Sequence, residues 1–141
     1  MRGEKMNYSE LVRAAASARE NAYAPYSGFK VGAALLGKSG KVYVGCNVEN
    51  ASFSATNCAE RTAFFTAVAA GERDFEAIAI VGGKDGEKIG VCAPCGVCRQ
   101  VMAEFCKGDF HIILGSPEEF TVYTLAEILP LAFSSKNLSE N

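Results

Sequence analysis

The chain carries no excess of positive charge: 14 Lys and Arg stand against 16 Asp and Glu, for a formal net charge of −2. Proteins that grip a nucleic-acid backbone show a basic excess or stripe, so nucleic acid is not an expected partner. Long apolar runs are missing too. Stretches such as residues 77–81 and 112–114 fall far short of the roughly 20 residues that span a bilayer, so no membrane span is expected. Met1-Arg2-Gly3-Glu4-Lys5-Met6 holds charge with no apolar segment behind it, which is not a secretory signal; the expected location is the cytoplasm. Internal repeats, low-complexity tracts and linkers are lacking as well. With 141 residues, and independent domains usually needing roughly 100 each, one domain over residues 1–141 is expected.

What is present is enough apolar material for a core, at 49% hydrophobic and 21% charged residues. Asn7-Tyr8-Ser9-Glu10 reads as a capping box. Leu11, Ala14, Ala15, Ala18 and Ala22 then keep one apolar face until Pro25, which predicts a first helix reaching that proline. Residues 29–36 read as a strand, residues 37–40 as a tight connection, and residues 41–50 as an antiparallel partner strand. In that partner Val42, Val44, Cys46 and Val48 share one face, and Tyr43, Gly45, Asn47 and Glu49 the other. A helix from Cys58 to a stop at Gly71 follows, then a buried strand over residues 76–83, with Pro94 as a first-turn residue opening a helix over 95–106. Residues 110–114 and 121–124 complete five strands, and 125–129 a last short helix. The interleaving predicts an α/β domain, a layered sheet flanked by helices.

Six cysteines in a reducing compartment argue for metal or thiolate chemistry over disulfides. Cys95-Gly96-Val97-Cys98 is a C-x-x-C whose sulfurs, three residues apart, share one helical face near a helix N-terminus. Cys58 begins another helix, and the positive end of each helix dipole favours thiolates there. Three thiolates leave a tetrahedral Zn²⁺ with one open position, the pattern of a catalytic site. Glu60, two residues on, is placed to act as a base on water at that helix end. Arg61 shares the helical face of Cys58 and can donate to the ligand sulfurs, offsetting the net negative charge of three thiolates on Zn²⁺. Cys92 is ambiguous, because Cys92-Ala93-Pro94-Cys95 is itself a C-x-x-C; Pro94 leaves Cys92 outside the helix and favours Cys95 with Cys98. Cys46 and Cys106 read as small core residues, and His111, the only histidine, as structural.

Cys58-Ala59-Glu60 followed by Pro94-Cys95-x-x-Cys98 resembles the zinc nucleoside and nucleobase deaminase signature, a motif documented for that class. Longer strings resemble the small tetrameric cytidine deaminases: residues 57–63 and 94–101, Ala24-Pro25-Tyr26-Ser27-Gly28-Phe29, residues 45–52, and Leu129-Pro130-Leu131-Ala132-Phe133. The resemblance implies a three-layer α/β/α sandwich around a mixed five-stranded sheet. It implies zinc on Cys58, Cys95 and Cys98, and zinc-dependent hydrolytic deamination of cytidine and deoxycytidine with Glu60 as proton shuttle. It further implies Asn47 and Glu49 on the ribose hydroxyls, Phe29 packed on the pyrimidine, the Ala59 backbone against the base, and Phe133 reaching a neighbouring subunit's site in a homotetramer. Phe53 stands where relatives often carry Tyr, and Cys92 is an extra thiol outside the pattern.

Three other readings share these residues. The same chemistry serves a base in RNA or DNA, or a cytosine-bearing antibiotic; Asn47, Glu49 and the mild acidity favour a free nucleoside. A structural zinc module would need Cys92 or His111 as a fourth ligand and would leave Glu60 idle.

Overall fold

The computed structural model of the chain describes residues 7–139, so the reading of residues 1–6 lies outside the described residues. Strands β1 (Phe29–Gly37), β2 (Val42–Cys46), β3 (Phe75–Lys84), β4 (His111–Gly115) and β5 (Phe120–Thr124) form one sheet in the order β2-β1-β3-β4-β5. β1 is antiparallel to both β2 and β3, β3 is parallel to β4, and β4 is antiparallel to β5. The sheet is therefore mixed and five-stranded, as expected.

Helices α1 (Tyr8–Arg19), α2 (Ala59–Ala69), α3 (Gly96–Phe105), α4 (Leu125–Ile128) and α5 (Ser135–Leu138) complete the chain. Side chains alternate across each strand, and the core divides accordingly. Ala34, Ala77, Ala79, Val81 and Ile113 face α1 through Leu11, Val12 and Ala15. Ala33, Leu35, Ile78, Ile80, Ile112 and Leu114 face α2 and α3 through Ala63, Phe64, Ala67 and Met102. Each fully buried Leu, Ile or Phe contributes roughly 1.5–3 kcal/mol. Three layers result, α/β/α.

Small residues set how closely the helices approach. A Cβ on Gly32 would lie 2.1 Å from the Ala15 carbonyl oxygen in α1, and one on Gly45 would lie 2.5 Å from both Ala59 O and Ala63 N in α2. Both helices thus ride directly on the sheet backbone.

Some boundaries differ from the sequence reading. α1 ends at Arg19, short of Pro25, because Tyr23 leaves the helix to pair with residues 47–49: Tyr23 N donates to Asn47 O and Glu49 N to Tyr23 O. Asn7 does cap α1, its Oδ1 accepting from Glu10 N at 2.9 Å. β2 stops at Cys46, and Val48 continues only as isolated bridges to Tyr23 and Asn57. The apolar-looking face of β2 is not the covered one: Val44 is 48% exposed while Gly45 lies under α2. α3 begins at Gly96 with Cys95 as its N-cap, so Pro94 precedes the cap and is not a first-turn residue. A 3₁₀ turn at Phe53–Ala55 and the helix α5 were not foreseen.

Candidate metal and catalytic site

The sulfurs of Cys58, Cys95 and Cys98 lie within 4.8 Å of one another, with Cys58 and Cys95 3.8 Å apart. The cause is local. Cys58 is the N-cap of α2 and Cys95 the N-cap of α3, both extended in backbone and neither spending its side chain on a cap bond. Cys98 is three residues into the register opened by Cys95. Two helix N-termini therefore converge, and their unpaired N–H groups and dipoles favour sulfur anions. Donors about 2.3 Å from one tetrahedral Zn²⁺ sit about 3.8 Å apart, so the Cys58–Cys95 spacing fits that ion.

Electrostatics point the same way. The Cys58 thiol is drawn down to about 5, first by the hydrogen bond it receives from Cys98, then by those from Arg61 and Cys95. Arg61 Nη2 donates to Cys58 Sγ at 3.3 Å. Cys98, which donates to Cys58 and is itself buried, is pushed in the opposite direction. Without a cation the trio shares protons; a bound cation releases them.

Glu60 is buried, at 4% exposure, in the first turn of α2. Burial lifts its carboxyl to about 7, with the Cys58 charge adding to the effect. A carboxyl poised near neutrality both accepts and returns a proton.

The remaining predicted residues lie at the start of β1 (Phe29), just beyond β2 (Asn47 and Glu49), at the start of α2 (Ala59) and between α4 and α5 (Phe133). Asn47 is buried and bonded through both ends of its amide: Oδ1 accepts from Val31 N and Nδ2 donates to Phe29 O, each at 2.9 Å. Glu49 accepts from the backbone N–H of Tyr26 and Ser27 and from the Ser27 hydroxyl, and these bonds, the hydroxyl first, hold its carboxyl below the usual range. A pocket of about 260 Å³ opens there, lined by Tyr26, Ser27, Glu49, Asn50, Phe53 and Thr56. Phe29 starts β1 and is 39% exposed, Ala59 is fully buried, and Phe133 is 56% exposed. A larger groove of about 820 Å³ runs past Phe105, Cys106, Leu129 and Leu131 and holds none of the three sulfurs.

Neither alternative fourth ligand joins the sulfurs. The side chain of Cys92 packs against Gly82, whose added Cβ would lie 2.6 Å from Cys92 Sγ, and burial pushes its thiol up to about 11. His111 Nδ1 lies 2.7 Å from Tyr8 Oη, on the strand register that faces α1, the opposite side of the sheet from α2 and α3. Sequence reasoning missed Ser27 as the group holding Glu49, because nothing local marks a contact across 22 residues. It also missed what Arg99 does.

A cluster of three cysteine sulfurs beside a buried carboxylate, on this sheet, defines the class of zinc-dependent deaminases. Residues 5–114 match the family profile described as the cytidine and deoxycytidylate deaminase zinc-binding region, and the chain belongs to that family. It is 51% identical over 138 residues to the cytidine deaminase of Sporosarcina psychrophila, covering 95% of this chain and 96% of that one. To the cytidine deaminase of Halalkalibacterium halodurans it is 48% identical over 136 residues, covering 96% and 100%. Among solved structures it is similar to the cytidine deaminase from Burkholderia pseudomallei, with a TM-score of 0.83 and 52% identity, covering 91% of this chain and 100% of that one.

Proposed function

We propose that this protein catalyses hydrolytic deamination of cytidine and deoxycytidine to uridine and deoxyuridine with release of ammonia. The observation that carries the reading is the convergence of Cys58, Cys95 and Cys98 beside the buried carboxyl of Glu60. In this reading the three cysteines hold Zn²⁺, which when bound supplies a Lewis acid that lets water attack at neutral pH. Glu60 takes a proton from the attacking water and gives it to N3 as oxygen adds to C4 of cytosine. It then carries the second proton to the amino nitrogen, the C4–N bond breaks, and ammonia departs. Arg61 holds Cys58 in its anionic form and offsets the charge of the sulfurs.

Substrate contacts follow the same logic. Asn47 spends one amide hydrogen and one carbonyl lone pair on β1, so a second of each remains for a sugar hydroxyl. Glu49 adds a fixed carboxylate acceptor. Phe29 packs on the pyrimidine and the Ala59 backbone contacts the base. Phe133 enters a neighbouring subunit's site in a homotetramer. This assembly is supported by the apolar side chains the single chain leaves in solvent: Tyr23, Tyr26, Val44, Phe53 and Leu131 are all about half exposed or more. No helix among the described residues is long and apolar enough to cross a membrane, and we place the enzyme in the cytoplasm, in salvage of pyrimidine nucleosides.

Incubation with cytidine, deoxycytidine and cytosine, followed by ultraviolet absorbance, tests the reading. Turnover of the two nucleosides is expected, together with a Glu60→Ala variant that retains zinc and loses activity. A Glu60→Ala variant as active as the parent removes Glu60 from the mechanism, and freshly purified protein without zinc removes the metal.

A further inference from the structure

We propose that Arg99 is a positioning residue for the metal site: it brackets Cys95 between two fixed carbonyls and ties that bracket to the C-terminal part of the chain. The inference rests on Cys95 being a zinc ligand.

Cys95 is the exposed one of the three cysteines. It is an N-cap, extended in backbone, with no cap bond from its side chain. Its side chain meets the Cys58 sulfur, 3.8 Å away, and its approach to the site otherwise depends on the two peptide units around it. The peptide nitrogen before it belongs to Pro94, which has no N–H and cannot contribute a bond.

Arg99 supplies the missing constraint from both sides. Its backbone N–H donates to the Cys95 carbonyl at 3.0 Å, the first bond of α3. Its side-chain Nε donates to the Pro94 carbonyl at 2.8 Å, and Nη1 reaches on to the Ile128 carbonyl, at the end of α4, at 2.6 Å. One residue thus holds the carbonyl at the ligand through its backbone N–H, and the carbonyl before it, together with Ile128 O, through a planar fork whose donors have fixed relative directions. The next residue works alongside: Gln100 Nε2 donates to the Phe133 carbonyl at 2.8 Å. Between these anchors lies Leu131, a non-glycine residue at φ 55°. The second turn of α3 therefore fixes the Cys95 approach and the segment leading to Phe133 together.

A Lys at this position offers a flexible point charge and cannot hold Pro94 O and Ile128 O at once. Partners that orient a ligand, when removed, typically cost 10–100-fold in metal affinity. The test uses zinc-loaded Arg99→Lys and Arg99→Gln, so that a folding failure in one leaves the other, with Arg73→Gln as control. Arg73 also donates to carbonyls, Val68 O and Glu72 O, but away from the sulfurs. Zinc release to a chromogenic chelator is expected to quicken about 10-fold or more in both Arg99 variants and to stay at the parent rate in Arg73→Gln. The Co²⁺-substituted proteins should show altered thiolate charge-transfer absorption in the Arg99 variants. The melting temperature of the zinc-stripped protein should move little, while the rise on adding zinc should shrink. Parent-like release and spectra in folded Arg99 variants overturn the inference. So does an equal fall in melting temperature with and without zinc, which marks a purely structural residue. A parent protein that binds no zinc instead overturns the metal reading beneath it.

Discussion

Two side chains carry opposite burdens at the scale of single residues. Glu60 is a carboxyl buried next to sulfur anions, a placement that weakens the fold and marks a group placed for chemistry. Glu60→Gln keeps its shape and removes proton transfer, so kcat is expected to fall about 10²–10⁴-fold with zinc content and melting temperature near those of the parent; steady-state rates beside metal analysis check this. Cys106 makes the contrasting case. Burial, with Asp109 adding to it, pushes its thiol up to about 12 from 9.0. Between those values the unfolded chain has lost a proton that the folded chain keeps. Stability is therefore full below about pH 9 and falls as pH rises toward 12, by up to about 1.4 kcal/mol per pH unit for one proton. Urea midpoints at pH 8 and pH 10 should separate more for the parent than for Cys106→Ala. Glu60 was legible because it stands two residues from Cys58 in sequence. Ser27, which fixes Glu49, was not, because the bond joins segments whose proximity only the fold creates.

Secondary-structure elements matter here for where their ends fall. Cys58 and Cys95 serve the site as N-caps of α2 and α3, so displacing either helix along or off the sheet displaces a sulfur. Gly45→Ala tests this. The new Cβ would meet backbone atoms of α2 at 2.5 Å, which have no side-chain freedom with which to yield. The substitution is expected to cost about 1–3 kcal/mol and to weaken zinc retention by shifting Cys58. Gly96→Ala, in the first turn of α3, meets nothing within 4 Å and should leave both unchanged; thermal melts with zinc titration compare the pair. The element reading succeeded where local chemistry decides: the Asn7 cap, the Gly71 stop and the five strands. It failed where pairing overrides propensity. α1 gives up the residues before Pro25 because Tyr23 gains two backbone bonds to residues 47–49. The faces of β2 misled because glycine, which has no side chain to mark a buried face, is the residue on which a helix can rest.

For the whole molecule, the proposed assembly divides each working site between two chains. The Phe133 carbonyl is bound to Gln100 while the residue is 56% exposed, an arrangement suited to presenting the ring outward to another copy. Its assignment to a neighbour's site makes a prediction that no single-chain account shares. Homomers of Glu60→Ala lack the proton carrier in every site, and homomers of Phe133→Ala lack the ring in every site. When the two are co-expressed, a site that takes Glu60 from its own chain and Phe133 from the adjacent one is whole in about a quarter of random pairings, because a symmetric assembly repeats one such junction at each site. Activity of the mixture is then expected to exceed that of either homomer, and purification through a tag on one chain only should carry the recovered activity with it. Were Phe133 to serve the site of its own chain, every site in the mixture would lack one of the two groups, and co-expression would recover nothing.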